Sequence, residues 1–419
     1  MMPSAIASDL RIKIPALVIF LFPVAGNSVH HWTGAFFWIL VIVSLTVLKP
    51  KAVSLSSPEK VVIGIVGALF LAMVSSSLVN GWNENSTKGL SVQIRYLGFI
   101  PIYLLFRGRE DGLMWLLRGT ALATFVLVGQ AIYEVFWLDL ERSHGVYTSP
   151  GLLGIQGLLF STLLLCSFFN PRLIRLPRWL ILVSICCGMT ALVLSGSRTT
   201  FLTFIIFSVV SGILFFDTKR FVQIFASIGL ILVTLFFTND IVKKQSLSAV
   251  KELTAYVTSQ EKTVQLEHYS VGLRFEMWRT AILLFKENPV FGVGWRNFSE
   301  RSLPLVQQQR AHPISSEAPH PHNAYLDALV THGVIGLALL IFLLVFPFWI
   351  ARQEKYRGFP PSQMLQLFIL LFAINSINEG GTLIYNNTAS LYFVFFAALL
   401  ASVVQIELRS SPFSQNQRS

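Results

Sequence analysis

Three basic residues stand where anion binding and proton transfer could be combined. They are Arg198 in Ser195-Gly196-Ser197-Arg198-Thr199-Thr200, Arg274 just after Ser270, and His322 in Pro319-His320-Pro321-His322-Asn323. Each is read at or near the N-terminus of a helix. Free backbone N–H groups and the positive end of the helix dipole there favour a negative ligand. An arginine at such a position adds a planar fork that fits phosphate oxygens. A histidine there is held in its neutral form, which can take a proton from a hydroxyl. Together they suit a phosphate or pyrophosphate leaving group and a hydroxyl acceptor.

Other residues join as substrate-binding candidates. Arg95 lies inside an apolar run, where a lone charge is expensive and must face a bundle interior or reach outward. Ser197 flanks Arg198, and Asn323 follows His322. Arg279 lies about 140° around its helix from Arg274, so the two do not readily share one ligand. Glu276 offers Arg279 a local partner instead. His320 and His322, two apart, share no helical face, which argues against a zinc site. Asp139-Leu140-Glu141 is too common a pattern to carry a metal assignment, and His332 is read as packing. Blander roles stay open at each position: a snorkelling arginine at a span end, an exposed surface arginine, or a histidine at an interface turn.

These residues must be positioned by a membrane bundle. Of 419 residues, 53% are hydrophobic and only 13% charged, whereas soluble domains carry about 25% charged residues. A helix crossing a hydrocarbon core of about 30 Å needs roughly 17–25 residues. Runs of that kind fall at 12–28, 31–48, 61–79, 89–106, 113–137, 150–169, 179–196, 199–216, 221–238, 324–350, 362–378 and 388–406. The fold class expected is therefore an all-α polytopic membrane protein of about twelve helices.

The formal net charge of +11 raises the question of nucleic acid, but its distribution answers it. Basic clusters recur between spans at Arg11/Lys13, Lys49/Lys51/Lys60, Arg107/Arg109/Arg118, Arg172/Arg175/Arg178, Lys219/Arg220, Arg352/Lys355/Arg357 and Arg409/Arg418, all on one side. By the positive-inside rule both termini are cytoplasmic, and no nucleic-acid partner is implied. Three cysteines, all in apolar runs, give no disulfide framework.

Residues 1–238 then hold nine spans, 239–323 form a large external loop region, 324–408 hold three more spans, and 409–419 form a short tail. Within the loop, Asp240 to Glu267 reads as surface helices, and Val271 to Glu287 as a helix capped by Ser270 and stopped by Asn288-Pro289. Phe275, Trp278, Ile282 and Phe285 recur at helical spacing and are expected to dock on the bundle. Gly292-Val293-Gly294 reads as a loop, and Gln307 to Pro321 as irregular.

The order Arg274 to Trp278, Asn288-Pro289, Gly292-x-Gly294, His322-Asn323, Gly333 and Gly336 resembles the O-antigen ligase family, of one superfamily with O-antigen polymerases and bacterial O-linked oligosaccharyltransferases. The motifs cover only Ser195 to Thr200 and Arg274 to Gly336. The topology covers nearly the whole chain.

The resemblance implies a C-type glycosyltransferase-like fold in the bacterial inner membrane, with a periplasmic active site. It implies inverting, metal-independent transfer of a polysaccharide from undecaprenyl pyrophosphate to a hydroxyl of the lipid A core, in contact with membrane lipids. The family's essential histidine falls on His322 and its essential arginines on Arg198 and Arg274. Polymerase or protein O-oligosaccharyltransferase activity would use the same donor. A lipid-linked saccharide flippase is the alternative of another class, but it would want charged or broken-helix sites at the bilayer midplane and internal repeats.

Overall fold

Apolar runs with little charge leave the chain one way to satisfy its backbone in a membrane, which is to fold each run as a helix. The computed structural model describes residues 4–47, 54–147, 149–215, 270–379 and 386–410, with isolated positions between 219 and 254. Among them every regular element is helical and no strand occurs. In chain order come α1 (Ser4–Gly26), α2 (Trp32–Val47), α3 (Ser57–Val79), α4 (Glu84–Arg107), α5 (Gly112–Ile132), α6 (Pro150–Phe169), α7 (Arg178–Ser195) and α8 (Arg198–Phe215). After them follow α9 (Ser270–Glu287), α10 (Phe298–Gln307), α11 (Ile314–Glu317), α12 (Ala324–Arg352), α13 (Pro360–Asn378) and α14 (Asn386–Ser410).

Among the described residues nine helical segments are long and apolar enough to cross a membrane, and two shorter apolar helices, Lys13–Gly26 and Trp32–Val47, precede them. The chain is a multi-pass membrane protein. Helices thus occupy eleven of the twelve expected runs, nine of them long and apolar enough to span. The remaining one, 221–238, and the surface helices expected over Asp240 to Glu267 lie outside the described residues.

α14 is the central post of the bundle: from Ala389 to Val404 nearly every side chain is buried. It packs along α4, where Phe393 and Phe396 meet Tyr96 and Phe99 at centroid distances of 4.7–5.7 Å. At one end Gln405 Nε2 donates to the carbonyls of Phe106, Arg107 and Arg109 at 2.9–3.1 Å, fixing the register of α14 on α4. Buried Glu59 of α3 accepts from the Tyr103 hydroxyl at 2.6 Å and pairs with Arg107, closing the same end.

At the other end the arrangement is less regular. α12 carries a break at Gly333, with φ 67° and ψ −164°. The loop after α9 inserts there: Val293 and Gly294 donate to the carbonyls of Val330 and Thr331 at 2.8 and 3.1 Å, and Val334 donates to that of Pro289 at 2.9 Å. Ser76 of α3 and Asn80, its C-cap, donate to the carbonyls of Phe291 and Gly292 at 2.6 and 3.0 Å. A Cβ at Gly333 would sit 2.1 Å from the Val290 carbonyl oxygen. Glycine is required there both for its backbone angle and for the approach of the loop.

The expectation about the docking face of α9 is corrected. The face that docks is Met277, Ala281 and Leu284, packed with Val293, Phe298, Leu305, Ala318 and Val330. Phe275 and Ile282 are exposed instead. The 3.6-residue period shows which residues share a face, and here the smaller face is the one packed against the loop and α12. The stretch from Gln307 to Pro321, expected to be irregular, follows α10 and is interrupted only by the four-residue α11. His332 is buried and stacked on Trp295 with ring centroids 5.1 Å apart, a packing role as expected.

Candidate active site

The elements converge where α8 and α12 begin and α13 ends. Asn323 is the N-cap of α12, its side-chain oxygen accepting from Tyr325 and Leu326 N–H at 3.0 Å each. His322 therefore lies one residue outside the helix, with φ 52°, and Pro321 is not the first helical residue. The sequence reading, with Pro321 as the first helical residue and His322 and Asn323 in the N-terminal turn, is corrected by this. The left-handed backbone at His322 turns its ring back over its neighbour, and the His320 and His322 rings lie 4.4 Å apart. His320 Nδ1 accepts from the His322 backbone N–H at 3.1 Å, which fixes that turn.

Trp278 of α9 donates its indole N–H to the Pro321 carbonyl at 2.9 Å. The same helix brings Arg274, whose Nη1 donates to the Asn378 carbonyl at the end of α13, at 2.8 Å. The next residue, Glu379, places Oε1 at 3.6 Å from His322 Nδ1. That nitrogen is buried and has no hydrogen-bond partner in this geometry. A movement of a few tenths of an ångström would close the bond, and catalytic hydrogen bonds commonly tighten only with substrate present.

Electrostatics mark the cluster. Burial pushes the Glu379 carboxyl up, but His322, Arg274 and His320 outweigh it and hold it below the usual carboxylate range. Burial lowers Arg274 from its ordinary value, partly opposed by Glu379. For His320, burial is the main cause of a fall to about 4, with His322, Arg296 and Arg274 adding to it and Glu379 opposing. His320 is thus a neutral acceptor at pH 7, and Arg296 is a third guanidinium whose charge reaches the cluster.

The Ser195 to Thr200 turn reaches the same place. α7 ends at Ser195, Gly196 is left-handed at φ 55°, and α8 starts at Arg198, as the sequence suggests. A Cβ built on Gly151 would find Glu379 Oε2 at 3.5 Å and Ser197 Oγ at 3.7 Å, so both groups border one small space. Buried Ser197 also accepts from Thr200 N–H at 3.4 Å, capping α8. Arg198 itself donates to Ser248 at 3.1 Å. Of this turn, Ser197 is the residue that borders the space beside Glu379.

The remaining candidates are placed differently. Arg95 is midway along α4, not near its start. Its Nε donates to Ser390 at 2.9 Å, it also donates to the Ser91 carbonyl, and it lies over the rings of Phe37 and Trp38 at 5.9 and 5.7 Å. None of these partners belongs to the His322 group. Arg279 is 63% exposed and lies 3.6 Å from Glu276, the partner expected for it. Asn323 has its oxygen committed to the cap.

His320, His322 and Glu379 could also hold a metal ion, their ligand atoms all lying within 4.8 Å of one another. The sequence argument against this assumed a helix, and the two histidines lie on a turn that brings their rings together. The surrounding charge speaks against a cation: Arg274 stands beside Glu379, and Arg296 acts on His320. The site is better built for a negative ligand next to a base. Sequence reasoning missed Glu379 and Arg296. Neither sits in a recognisable pattern, although Asn378-Glu379 at the end of a span was a visible acidic punctuation.

Comparison with known proteins finds distant relatives. Residues 179–341 match the family model described as O-antigen ligase, a segment that holds Arg198, Arg274 and His322. The chain is 25% identical over 309 residues to an uncharacterized protein of Haemophilus influenzae, covering 71% of this chain and 74% of that one. It is also 21% identical over 314 residues to an O-antigen ligase of Escherichia coli, covering 73% and 70%.

Proposed function

We propose that this chain, which belongs to the O-antigen ligase family, transfers a preassembled polysaccharide from undecaprenyl pyrophosphate to a hydroxyl of the lipid A core, at the periplasmic face of the inner membrane. The observation that carries the reading is the His322–Glu379 pair, with Arg274 bound to the adjoining Asn378 carbonyl. A base and an anion-binding guanidinium are thereby held by the same two residues of chain.

In this mechanism Nδ1–H of His322 faces Glu379, which leaves Nε2 as the basic atom. As the acceptor oxygen attacks the anomeric carbon, His322 takes the hydroxyl proton, and Glu379 stabilises the imidazolium that forms. General-base catalysis of this kind is typically worth roughly 10²–10⁴-fold. The bond between the anomeric carbon and the pyrophosphate oxygen breaks on the opposite face, so the configuration inverts. Charge builds on the leaving pyrophosphate, where Arg274, with Arg198 and the N–H groups opening α8, receives it. Each such donor is worth about 2.7–4 kcal/mol in comparable sites. Ser197 borders the same space and is assigned to substrate contact.

The test is incubation of purified protein with undecaprenyl-pyrophosphate-linked glycan and lipid A core, with and without chelator. Product formed in chelator and lost in His322→Ala supports a metal-free ligase. Unchanged transfer by His322→Ala at equal protein level would remove the base. Glycan lengthened on the carrier, with no product on the core, would instead make the chain a polymerase.

A further inference from the structure

We infer that the protein has a second ligand site, for the head group of an anionic phospholipid, at the end of the bundle opposite His322. α13 starts there at Pro360 and ends beside Glu379, so about 28 Å of helix separates the two places. A cavity of about 760 Å³ opens at that end between the α4–α5 turn, the α6–α7 loop, the start of α13 and the end of α14. This is within the size range of small-ligand sites.

Its lining has two parts. Arg172 and Arg175 supply guanidiniums from the α6–α7 loop, while Leu113, Met114, Phe359 and Ile406 form an apolar wall. Of the acidic lining residues, Asp111 is already bound by Arg109 at 2.9 Å and accepts from the Trp115 indole at 3.0 Å. Two arginine charges therefore stand against the single charge of Glu110. The α6–α7 loop is held in place by other groups: Arg118 donates to the Ile174 carbonyl at 2.9 Å and to that of Arg175 at 3.4 Å. The guanidiniums of Arg172 and Arg175 are exposed on a fixed backbone.

Guanidiniums on a pinned loop select phosphate. The apolar wall, level with the ends of the spans, selects a phosphate that carries acyl chains over a free one. A phospholipid whose head group is anionic fits both parts, and lies at the membrane surface where basic groups add affinity.

The experiment is native mass spectrometry of the full chain in detergent, with added phosphatidylglycerol, phosphatidylethanolamine or inorganic phosphate. Wild-type protein is expected to retain phosphatidylglycerol, and Arg172→Gln/Arg175→Gln to bind it on the order of thirtyfold more weakly, from two arginine contacts at an anionic surface. The double variant keeps its glycan transfer, which shows it folded independently of the lipid readout. Less than about a threefold loss, or equal retention of phosphatidylethanolamine, would overturn the inference. Inorganic phosphate binding as well as the lipid would overturn the choice of a lipid.

Discussion

Replacing Glu379 by glutamine keeps the shape of the pair with His322 and removes its charge. At 3.6 Å, two unit charges at an effective dielectric of about 20 interact by roughly 4.6 kcal/mol. The side chains are 33% and 20% exposed, so solvent screening reduces this to about 2 kcal/mol. Since the imidazole is charged only as the acceptor loses its proton, the loss falls on the transition state, and kcat should drop about thirtyfold. The assay is transfer to lipid A core by purified protein across pH, in both wild-type and His322→Ala backgrounds. In the latter the added effect of Glu379→Gln should be less than about twofold, as for residues that act as one unit. An equal, multiplicative loss in both backgrounds would show that Glu379 acts on substrate or on folding and not through His322.

Arg274→Lys keeps a charge but loses the planar fork, and should lower kcat roughly 10²-fold at unchanged protein level, measured in the same assay. Gly333→Ala forces a side chain to within 2.1 Å of the Val290 carbonyl oxygen at φ 67°. It should cost more than about 3 kcal/mol, read as a lower melting temperature and loss of α9 docking in hydrogen exchange. His320 is neutral in the fold with its value lowered to about 4, against about 6.5 unfolded. The unfolded chain thus binds the extra proton between those values, and stability falls as pH drops through that window. About 2 kcal/mol is lost from this group between pH 7.5 and pH 5, and His320→Asn should flatten the fall in melting temperature over that range.

How much of this was legible in the sequence depends on the kind of signal. The spans were legible because an apolar run in a membrane has few alternatives, and α6 begins and ends where the run does. His322 and Arg274 were legible because helix starts have local signatures and a polarity that puts them on one side. Glu379 was not. A carboxylate at the end of a span looks like any loop acid until the fold brings α13 against α12, and nothing local records that approach. The aromatic stripe of α9 misled for a related reason: the 3.6-residue period says which residues share a face, but it does not say which face the rest of the fold comes to pack against. His322 itself was placed one turn too far in, because its left-handed backbone depends on the contact with His320 and not on the proline before it.

The break in α12 explains why these parts come together at all. Arg274 and His322 are on separate elements, and α9 could slide along the bundle if only apolar contacts held it. The loop Pro289 to Gly294 prevents this by hydrogen-bonding into the turn that Gly333 opens, and α3 grips it from the other side through Ser76 and Asn80. From that fixed end, α9 runs back to place Trp278 on the Pro321 carbonyl and Arg274 on the Asn378 carbonyl. Both contacts are to backbone, so they set positions and not merely side-chain rotamers. A flippase would want its charged or broken-helix sites near the midplane, and both Arg95 and the Gly333 break have something of that character. Yet Arg95 is held by Ser390, Ser91 and two rings, and the break is filled by a docked loop. What the break does is brace a site at one end of the bundle, which is the requirement for holding a base and an anion site at fixed separation while a bond is exchanged between them.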